Sequence, residues 1–234
     1  MKHDLNVLSI EEAGQCAHVC IENVYRLIGA GKLLFTNDYT ELAIFAVCTA
    51  IEEGGKALLL VEYQDDMAEG KKNAAATLRN AFKKHPPKLN AAFTAQEIDQ
   101  QLADQIKRYA AEHKESGNTA QRIVEMMENV NIPDVSPRIK ETFELRNSMI
   151  YVELTPYREA APWNRVEKSE FDRLLDIAEK ILARAELELS ISDACLKRGG
   201  SRRQFTKYVM AELPTIIDMM KKKLAEKKHP RENP

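Results

Sequence analysis

The chain contains few of the residues that break helices or staple small folds. Nine glycines and nine prolines are spread over 234 residues, aromatic residues make up 6%, and there are four cysteines. The period-two alternation typical of strands is almost absent. So few cysteines do not form a disulfide scaffold, and we expect reduced thiols in an intracellular protein. An apolar fraction of 44% excludes disorder throughout the chain.

Long hydrophobic runs are also missing. The N-terminus lacks the continuous apolar segment of a signal peptide. The longest apolar stretch, Leu42–Ile51, is far shorter than the roughly 20 residues that a bilayer span needs. We therefore predict a cytoplasmic protein with no membrane segment.

Charge is balanced overall but unevenly distributed. The formal net charge is −2, whereas residues 196–234 hold eleven Lys and Arg against four Asp and Glu. A basic terminus of this kind is either a solvated face or a nucleic-acid contact. In the second case its binding should weaken steeply with salt.

Apolar residues recur at helical spacing, which predicts an all-α bundle. One helix, capped by Asn37 or Asp38 and ending near Tyr63, is apolar nearly all round and should occupy the bundle centre. The other helices are expected over residues 11–34, 74–84, 94–113, 120–130 and 168–189, then from Pro137 and from Arg203.

Several breaks between these helices can also be predicted. Pro86-Pro87 should interrupt the chain, Ser136 should cap the helix that begins at Pro137, and the segment after Ile150 should be irregular. Gly199-Gly200 should close the long helix before it. We divide the chain into residues 1–165, a bundle carrying the motifs, and 166–234, a C-terminal helical extension packed on it.

Cys16, His18 and Cys20 lie close enough in sequence to suggest a metal site. On a helix the two cysteines share a face, but the histidine points about 200° away, which suits zinc poorly. We predict that the cysteines are small core residues. The sequence predicts no metal site and no cofactor.

The segment Glu52–Lys56 interrupts the most apolar helix with two glutamates, two glycines and a lysine. Two glycines in a helix cost about 2 kcal/mol relative to alanine, so another backbone should approach closely there. Glu52 and Lys56 have the spacing of an i,i+4 ion pair. Such a pair is either a surface feature or a polar group that lines a cleft.

Arg146 falls between Phe143 and Ile150 on the buried side of its predicted helix. A buried arginine must be paired or must face a cleft that accepts an anion. A structural role would pair it with the carboxylate of Glu52, Glu53 or Glu144. A functional role would have it bind a phosphate.

Three motifs in order resemble the AbiV-type abortive-infection proteins. They are the Glu-Glu-x-Gly-Lys motif in Glu52–Lys56, the Phe-x-x-His-x-x-Lys motif in Phe82–Lys88, and the Leu-Arg-Asn-x-x-Ile-Tyr-Val-Glu motif in Leu145–Glu153. The likeness runs from about Glu11 to Trp163. Beyond it, the C-terminal part is similar only in being helical.

The resemblance implies membership of the HEPN superfamily. The expected fold is an up-and-down helical bundle that forms a homodimer, here with additional C-terminal helices. Many HEPN proteins are metal-independent endoribonucleases that use an Arg-x(4–6)-His motif. Arg146 matches its arginine, but Tyr151 stands in the histidine position. An unperturbed tyrosine has a pKa of about 10, too high for a base near neutral pH.

The candidate site residues follow from these motifs. The catalytic candidates are Arg146, Tyr151 and His85, the substrate-binding candidates are Asn147, Lys56 and Lys88, and the polar residues of the cleft are Glu52 and Glu53. Three functions remain open at this point. They are an RNA-cutting phage-defence effector, a non-catalytic module that binds RNA, a nucleotide or a phage protein, and a scaffold whose polar motifs are structural ion pairs.

Overall fold

The computed structural model of the protein describes residues 7–112, 130, 134–150 and 168–208. These residues form helices and no strand, which confirms the predicted all-α class. The helices are α1 (Ile10–Thr36), α2 (Thr40–Ala68), α3 (Ala74–Phe82), α4 (His85–Glu112), α5 (Ser136–Ile150) and α6 (Lys168–Leu196). A further helical segment covers residues 202–208.

Helix α2 lies at the centre of the bundle, as its apolar composition predicts. It packs against α1, α3, α4, α5 and α6. Helix α1 runs antiparallel to α2, since the Tyr63 hydroxyl donates to the Leu8 carbonyl at one end, while Gly31 lies against Val47 at the other. Helix α6 completes the core with a stripe of apolar side chains: Phe171, Leu174, Ile177, Ala178, Ile181, Leu182, Ala185 and Leu189. The predicted boundary at residue 165 therefore precedes a helix that shares the core of the bundle.

The predicted cap of the central helix, Asn37 or Asp38, is wrong for a local reason. The side chain of Asn37 donates to the Leu33 carbonyl and so caps the end of α1 instead of the start of α2. Asp38 has a φ of 62°, and Tyr39 takes the N-cap position without a side-chain hydrogen bond. Three residues connect α1 and α2.

Pro86-Pro87 does not lie in a break between helices, because both prolines belong to the first turn of α4. Backbone N–H groups in the first turn have no partner within the helix, so proline loses nothing there. Helix α4 therefore begins at His85 rather than near residue 94. Ser136 is likewise the first residue of α5 and not its cap, and its N–H donates to the Asp134 carboxylate at 3.0 Å.

Helix α6 is longer than the sequence predicts. Helix α6 continues to Leu196, beyond the predicted end at residue 189. The double glycine follows as expected, and Gly199 has a φ of 79°, which favours glycine. The helix predicted over residues 120–130, the irregular segment after Ile150 and the tail beyond residue 208 lie outside the described residues, apart from Val130.

Candidate functional site

The carboxylate of Glu52, in the middle of α2, is the centre of a polar cluster. Its side chain is 6% exposed, and its two oxygens have different partners. Lys88 Nζ lies 2.6 Å from Oε1, and His85 Nδ1 lies 2.7 Å from Oε2. Arg146 Nε is 4.0 Å from Oε2. Residues from α2, α4 and α5 therefore meet at one buried carboxylate.

Glycine in α2 is what brings the first turn of α4 to this carboxylate. A Cβ on Gly55 would lie 2.7 Å from the backbone carbonyl carbon of Lys88 and closer still to its oxygen. A Cβ on Gly54 would lie 2.5 Å from the Ile181 side chain of α6. The predicted close approach of another backbone is confirmed. It places the first turn of α4 against α2 at Gly55, one helical turn after Glu52. His85 and Lys88 are three residues apart, so both face α2.

Arg146 is held loosely. Its side chain is 18% exposed, and its guanidinium lies over the Phe45 ring, 5.2 Å from the centroid. The Nε atom is buried and has no hydrogen-bond partner, and Glu52 is the one ion-pair partner among the described residues. The structural role considered from sequence, a buried carboxylate that depends on Arg146, does not fit, because Lys88 and His85 both lie closer to Glu52 than Arg146 does.

His85 is the most accessible member of the cluster. Its side chain is 41% exposed. The ring contacts Phe143 of α5, with the centroids 5.6 Å apart and the planes tilted by 41°. Phe143 and Phe45 were not among the sequence-predicted site residues, since an apolar residue on a buried stripe gives no sign that it borders a polar cluster.

Glu53 and Lys56 form a separate ion pair on α2. The i,i+4 pairing of Glu52 with Lys56 expected from spacing is therefore wrong. Glu52 is occupied by α4, and Lys56 turns to Glu53 instead. This pair lies towards α1, where burial and the charge of Glu53 raise the pKa of Cys20 to about 12. Asn147 is half-buried on α5 next to Arg146, and Tyr151 lies outside the described residues.

The electrostatics of the cluster favour an anion. Burial acts to raise the pKa of Glu52, but hydrogen bonds from Lys88 and His85 outweigh it and hold that pKa below its usual value. Glu52 is thus ionised and neutralises one cation. Lys88 and Arg146 together exceed its charge, and protonation of His85 would add a further positive charge. The arrangement can therefore hold a phosphate next to a group able to transfer a proton.

A second buried charge cluster was not predicted. Asp65 of α2 is 0% exposed and accepts from the Arg202 backbone N–H at 2.8 Å and from Arg202 Nε at 2.9 Å. Arg202 also pairs with Glu188 of α6, and Arg203 pairs with Asp66. These arginines belong to the basic C-terminal region, and within the described residues they neutralise acidic partners of the bundle. The signal was available as two acidic residues, Asp65 and Glu188, on otherwise apolar faces.

Two further expectations concern metals and membranes. In the described part of the chain, no three His, Cys, Asp or Glu residues group closely enough to hold a metal ion. His18 instead lies 3.6 Å from Asp193 of α6. The prediction that both neighbouring cysteines are core residues is wrong for Cys16, which is exposed, while Cys20 is half-buried. None of the helices in the described ranges combines the length and the hydropathy of a membrane span.

A model of the HEPN proteins described as AbiV matches residues 12–183, which is well over half of the chain. The chain belongs to the AbiV family. The match begins in α1 and ends in α6, so it contains Glu52, His85 and Arg146. AbiV proteins take part in abortive-infection defence of the HEPN type, and the resemblance seen in the motifs is confirmed. No match was found among curated proteins or among solved structures.

Proposed function

We propose that this AbiV protein is a cytoplasmic phage-defence effector that binds RNA at the Glu52 cluster and cuts it without a metal ion, thereby arresting translation. One observation carries the proposal. An arginine with an unpartnered Nε and a half-exposed histidine, from different helices, share one buried carboxylate. Plain structural ion pairs would leave neither group available.

Arg146 is the proposed phosphate-binding residue. Its guanidinium can donate two parallel hydrogen bonds to a phosphodiester. Asn147, the next residue on α5, and Lys88, which shares the Glu52 carboxylate with Arg146, are the proposed additional binding residues. Lys56 was also a substrate-binding candidate. Because Lys56 pairs with Glu53, we propose that it contributes less to phosphate binding than Arg146 does.

His85 is the proposed base. Its imidazole takes the proton of a ribose 2′-hydroxyl, whose oxygen attacks the adjacent phosphorus. The bond from phosphorus to the 5′-oxygen breaks, and that oxygen takes a proton from water, while the imidazolium returns its proton to the resulting hydroxide. The products are a 2′,3′-cyclic phosphate and a 5′-hydroxyl. Imidazole suits this transfer near neutral pH better than the phenol of Tyr151 does.

The proposal includes a homodimer, in which two copies of the site face each other as in other HEPN proteins. The apolar surface left by the bundle supports it, since Leu33, Tyr39 and Leu42 around the α1–α2 turn are each more than half exposed. Light scattering on the purified protein tests this point. A monomer at roughly tens of micromolar would contradict it, because an interface of standard size binds more tightly than that.

Incubation of purified protein with total cellular RNA, with and without EDTA, tests the activity. We expect discrete fragments ending in 2′,3′-cyclic phosphate in both conditions, and none with His85→Gln. Cleavage that is lost with EDTA and restored by a divalent ion would contradict the mechanism. Growth arrest in cells should follow the same order among variants.

A second candidate function is a non-catalytic module that binds RNA, a nucleotide or a phage protein. The occupation of the motif histidine position by Tyr151 favours it. In that case wild type and His85→Gln would both bind RNA or the phage protein without producing fragments. Arg146→Ala would still abolish the binding of an anionic ligand.

A further inference from the structure

We infer that Glu52 is the positioning residue of His85: it keeps a proton on Nδ1 of the ring and thereby makes Nε2 the atom that accepts a proton from the substrate. The inference rests on the proposed function for its use in catalysis. Its structural part, the location of the proton on the ring, stands on the geometry alone.

The distance and the chemistry of the partner fix the tautomer. His85 Nδ1 lies 2.7 Å from Glu52 Oε2. An ionised carboxylate only accepts hydrogen bonds, so the imidazole nitrogen that faces it must carry the hydrogen. A neutral His85 therefore has its lone pair on Nε2. No hydrogen bond to Nε2 occurs within the described residues, which leaves this nitrogen available to a ligand.

Lys88 fixes the other half of the carboxylate. Its ammonium has three donors and no acceptor, and it lies 2.6 Å from Glu52 Oε1. The side chain of Lys88 is 7% exposed, so water does not readily replace this contact. The carboxylate is thus ionised, oriented and neutralised before any substrate arrives.

The ring itself is held on rigid elements. Gly55 sets the backbone of Lys88 against α2, and Pro86-Pro87 restrict the backbone between His85 and Lys88. The Phe143 ring bounds one side of the imidazole. Arg146 Nε approaches the same carboxylate oxygen as His85 does, so a phosphate on the arginine would lie beside the ring. A carboxylate that orients a histidine base in this way acts through the base and does not itself take the proton.

The variant Glu52→Gln separates positioning from packing because Lys88 determines how the amide must turn. The ammonium requires the amide oxygen on its side, since it offers only donors. The amide NH₂ group then faces His85 and donates to Nδ1. The ring must respond by moving its hydrogen to Nε2, where it blocks the acceptor. Shape and burial hardly change, but the tautomer is inverted.

Long-range ¹H–¹⁵N NMR of ¹⁵N-histidine-labelled protein in alkaline buffer reads the tautomer directly. The chain has five histidines, and a His85→Gln spectrum identifies the signal. We expect the Nδ1–H tautomer in wild type and in the control Glu179→Gln, whose half-exposed carboxylate pairs with Lys32 of α1. We expect the Nε2–H tautomer in Glu52→Gln. A wild-type ring with its hydrogen on Nε2 would overturn the inference.

RNA cleavage measured on the same samples gives the second readout. We expect Glu52→Gln to lose about 10²–10⁴-fold in cleavage rate, the usual contribution of a positioned base, and Glu179→Gln to stay within a few-fold of wild type. Unchanged cleavage by Glu52→Gln with an inverted tautomer would overturn the positioning role. Absence of cleavage in wild type, together with the expected tautomers, would refute the proposed nuclease function and leave the Glu52–His85 assignment in place.

Discussion

Gly55 of α2 lies directly against the backbone carbonyl of Lys88 in the first turn of α4. No side chain fits between the two helices at this point. The contact places His85 and Lys88 within hydrogen-bond distance of Glu52, one turn earlier on α2. The packing of two backbones therefore determines the geometry of the polar cluster.

Gly55→Ala should destabilise the protein and displace α4. The added methyl group would overlap the Lys88 carbonyl, and backbone cannot move aside as a flexible side chain can. Overpacking of this kind costs about 1–3 kcal/mol of unfolding free energy. Urea denaturation followed by circular dichroism measures the loss.

The matched control is Gly29→Ala in α1. A Cβ at Gly29 meets nothing within 4 Å. Alanine in an exposed helix position is more favourable than glycine by roughly 0.5–1 kcal/mol, so this variant should be slightly more stable than wild type. Equal stability of the two alanine variants would refute the close-approach explanation.

Arg202→Ala should be strongly destabilising, although the residue belongs to the basic C-terminal region. Arg202 supplies the cation for Asp65, which is fully buried, and it also pairs with Glu188. Removal of one partner of a buried pair typically costs about 3–5 kcal/mol, because it strands a charge. Chemical denaturation measures the change.

Lys180→Ala is the control for Arg202→Ala. It removes an i,i+4 pair with Asp176 in which both side chains are about half exposed. Such surface pairs contribute roughly 0.3–0.5 kcal/mol. A cost for Arg202→Ala as small as the cost for Lys180→Ala would show that residues 202–208 are not an integral part of the fold.

Much of this architecture could be predicted from the sequence. Helical periodicity identified the central helix, because a helix that is buried on all sides is apolar on all sides. The two glycines of Glu52–Lys56 indicated a close backbone approach, since their cost needed compensation. The presence of Glu52, Lys88, His85 and Arg146 as candidates came from motifs, and the structure brings these four residues together.

Pairing partners could not be predicted in the same way. Spacing on one helix favours Glu52 with Lys56, but the competing contact from α4 is set by tertiary packing that no local pattern contains. Helix ends are ambiguous in a similar way. Asparagine suits the end of a helix as well as its start, and proline is found in breaks as well as in the first turn of a helix. The pairing of Asp65 with Arg202 links residues that are far apart in sequence.

Acid should destabilise the protein in part through Glu52. Its folded pKa lies below the usual value of 4.5. A lowered folded pKa means that the group contributes stability above the unfolded pKa and loses it as the pH falls through the folded pKa. The same sign holds for Asp66, where hydrogen bonds from Lys71 and Arg203 outweigh burial and lower the pKa.

Urea midpoints measured from neutral pH down through the range below about pH 4.5 test this linkage. We expect the midpoint of wild type to fall steadily with acid and the slope to be shallower in Glu52→Gln, which has no carboxylate to protonate there. Identical slopes would show that Glu52 has the same proton affinity in the folded and unfolded chains.

Arg146→Ala should fold normally and lose function. Glu52 keeps Lys88 at 2.6 Å and His85 at 2.7 Å when the arginine is removed, so no buried carboxylate is stranded. Arg146 itself contributes an unpartnered Nε and an ion pair at 4.0 Å, neither of which stabilises the fold much. We expect a melting temperature close to that of wild type, together with loss of RNA binding and growth arrest.

Arg146→Lys makes the test specific for the planar group, and Lys140→Ala is the control on the same helix. Lysine keeps the charge but cannot donate two parallel hydrogen bonds to a phosphate, so Arg146→Lys should resemble Arg146→Ala in RNA binding. Lys140 is largely exposed, and its removal should change neither property. A large drop in melting temperature for Arg146→Ala, with the remaining folded protein still active, would assign Arg146 a structural role. Full activity of Arg146→Lys would show instead that the site requires a positive charge at this position and not the bidentate geometry of a guanidinium.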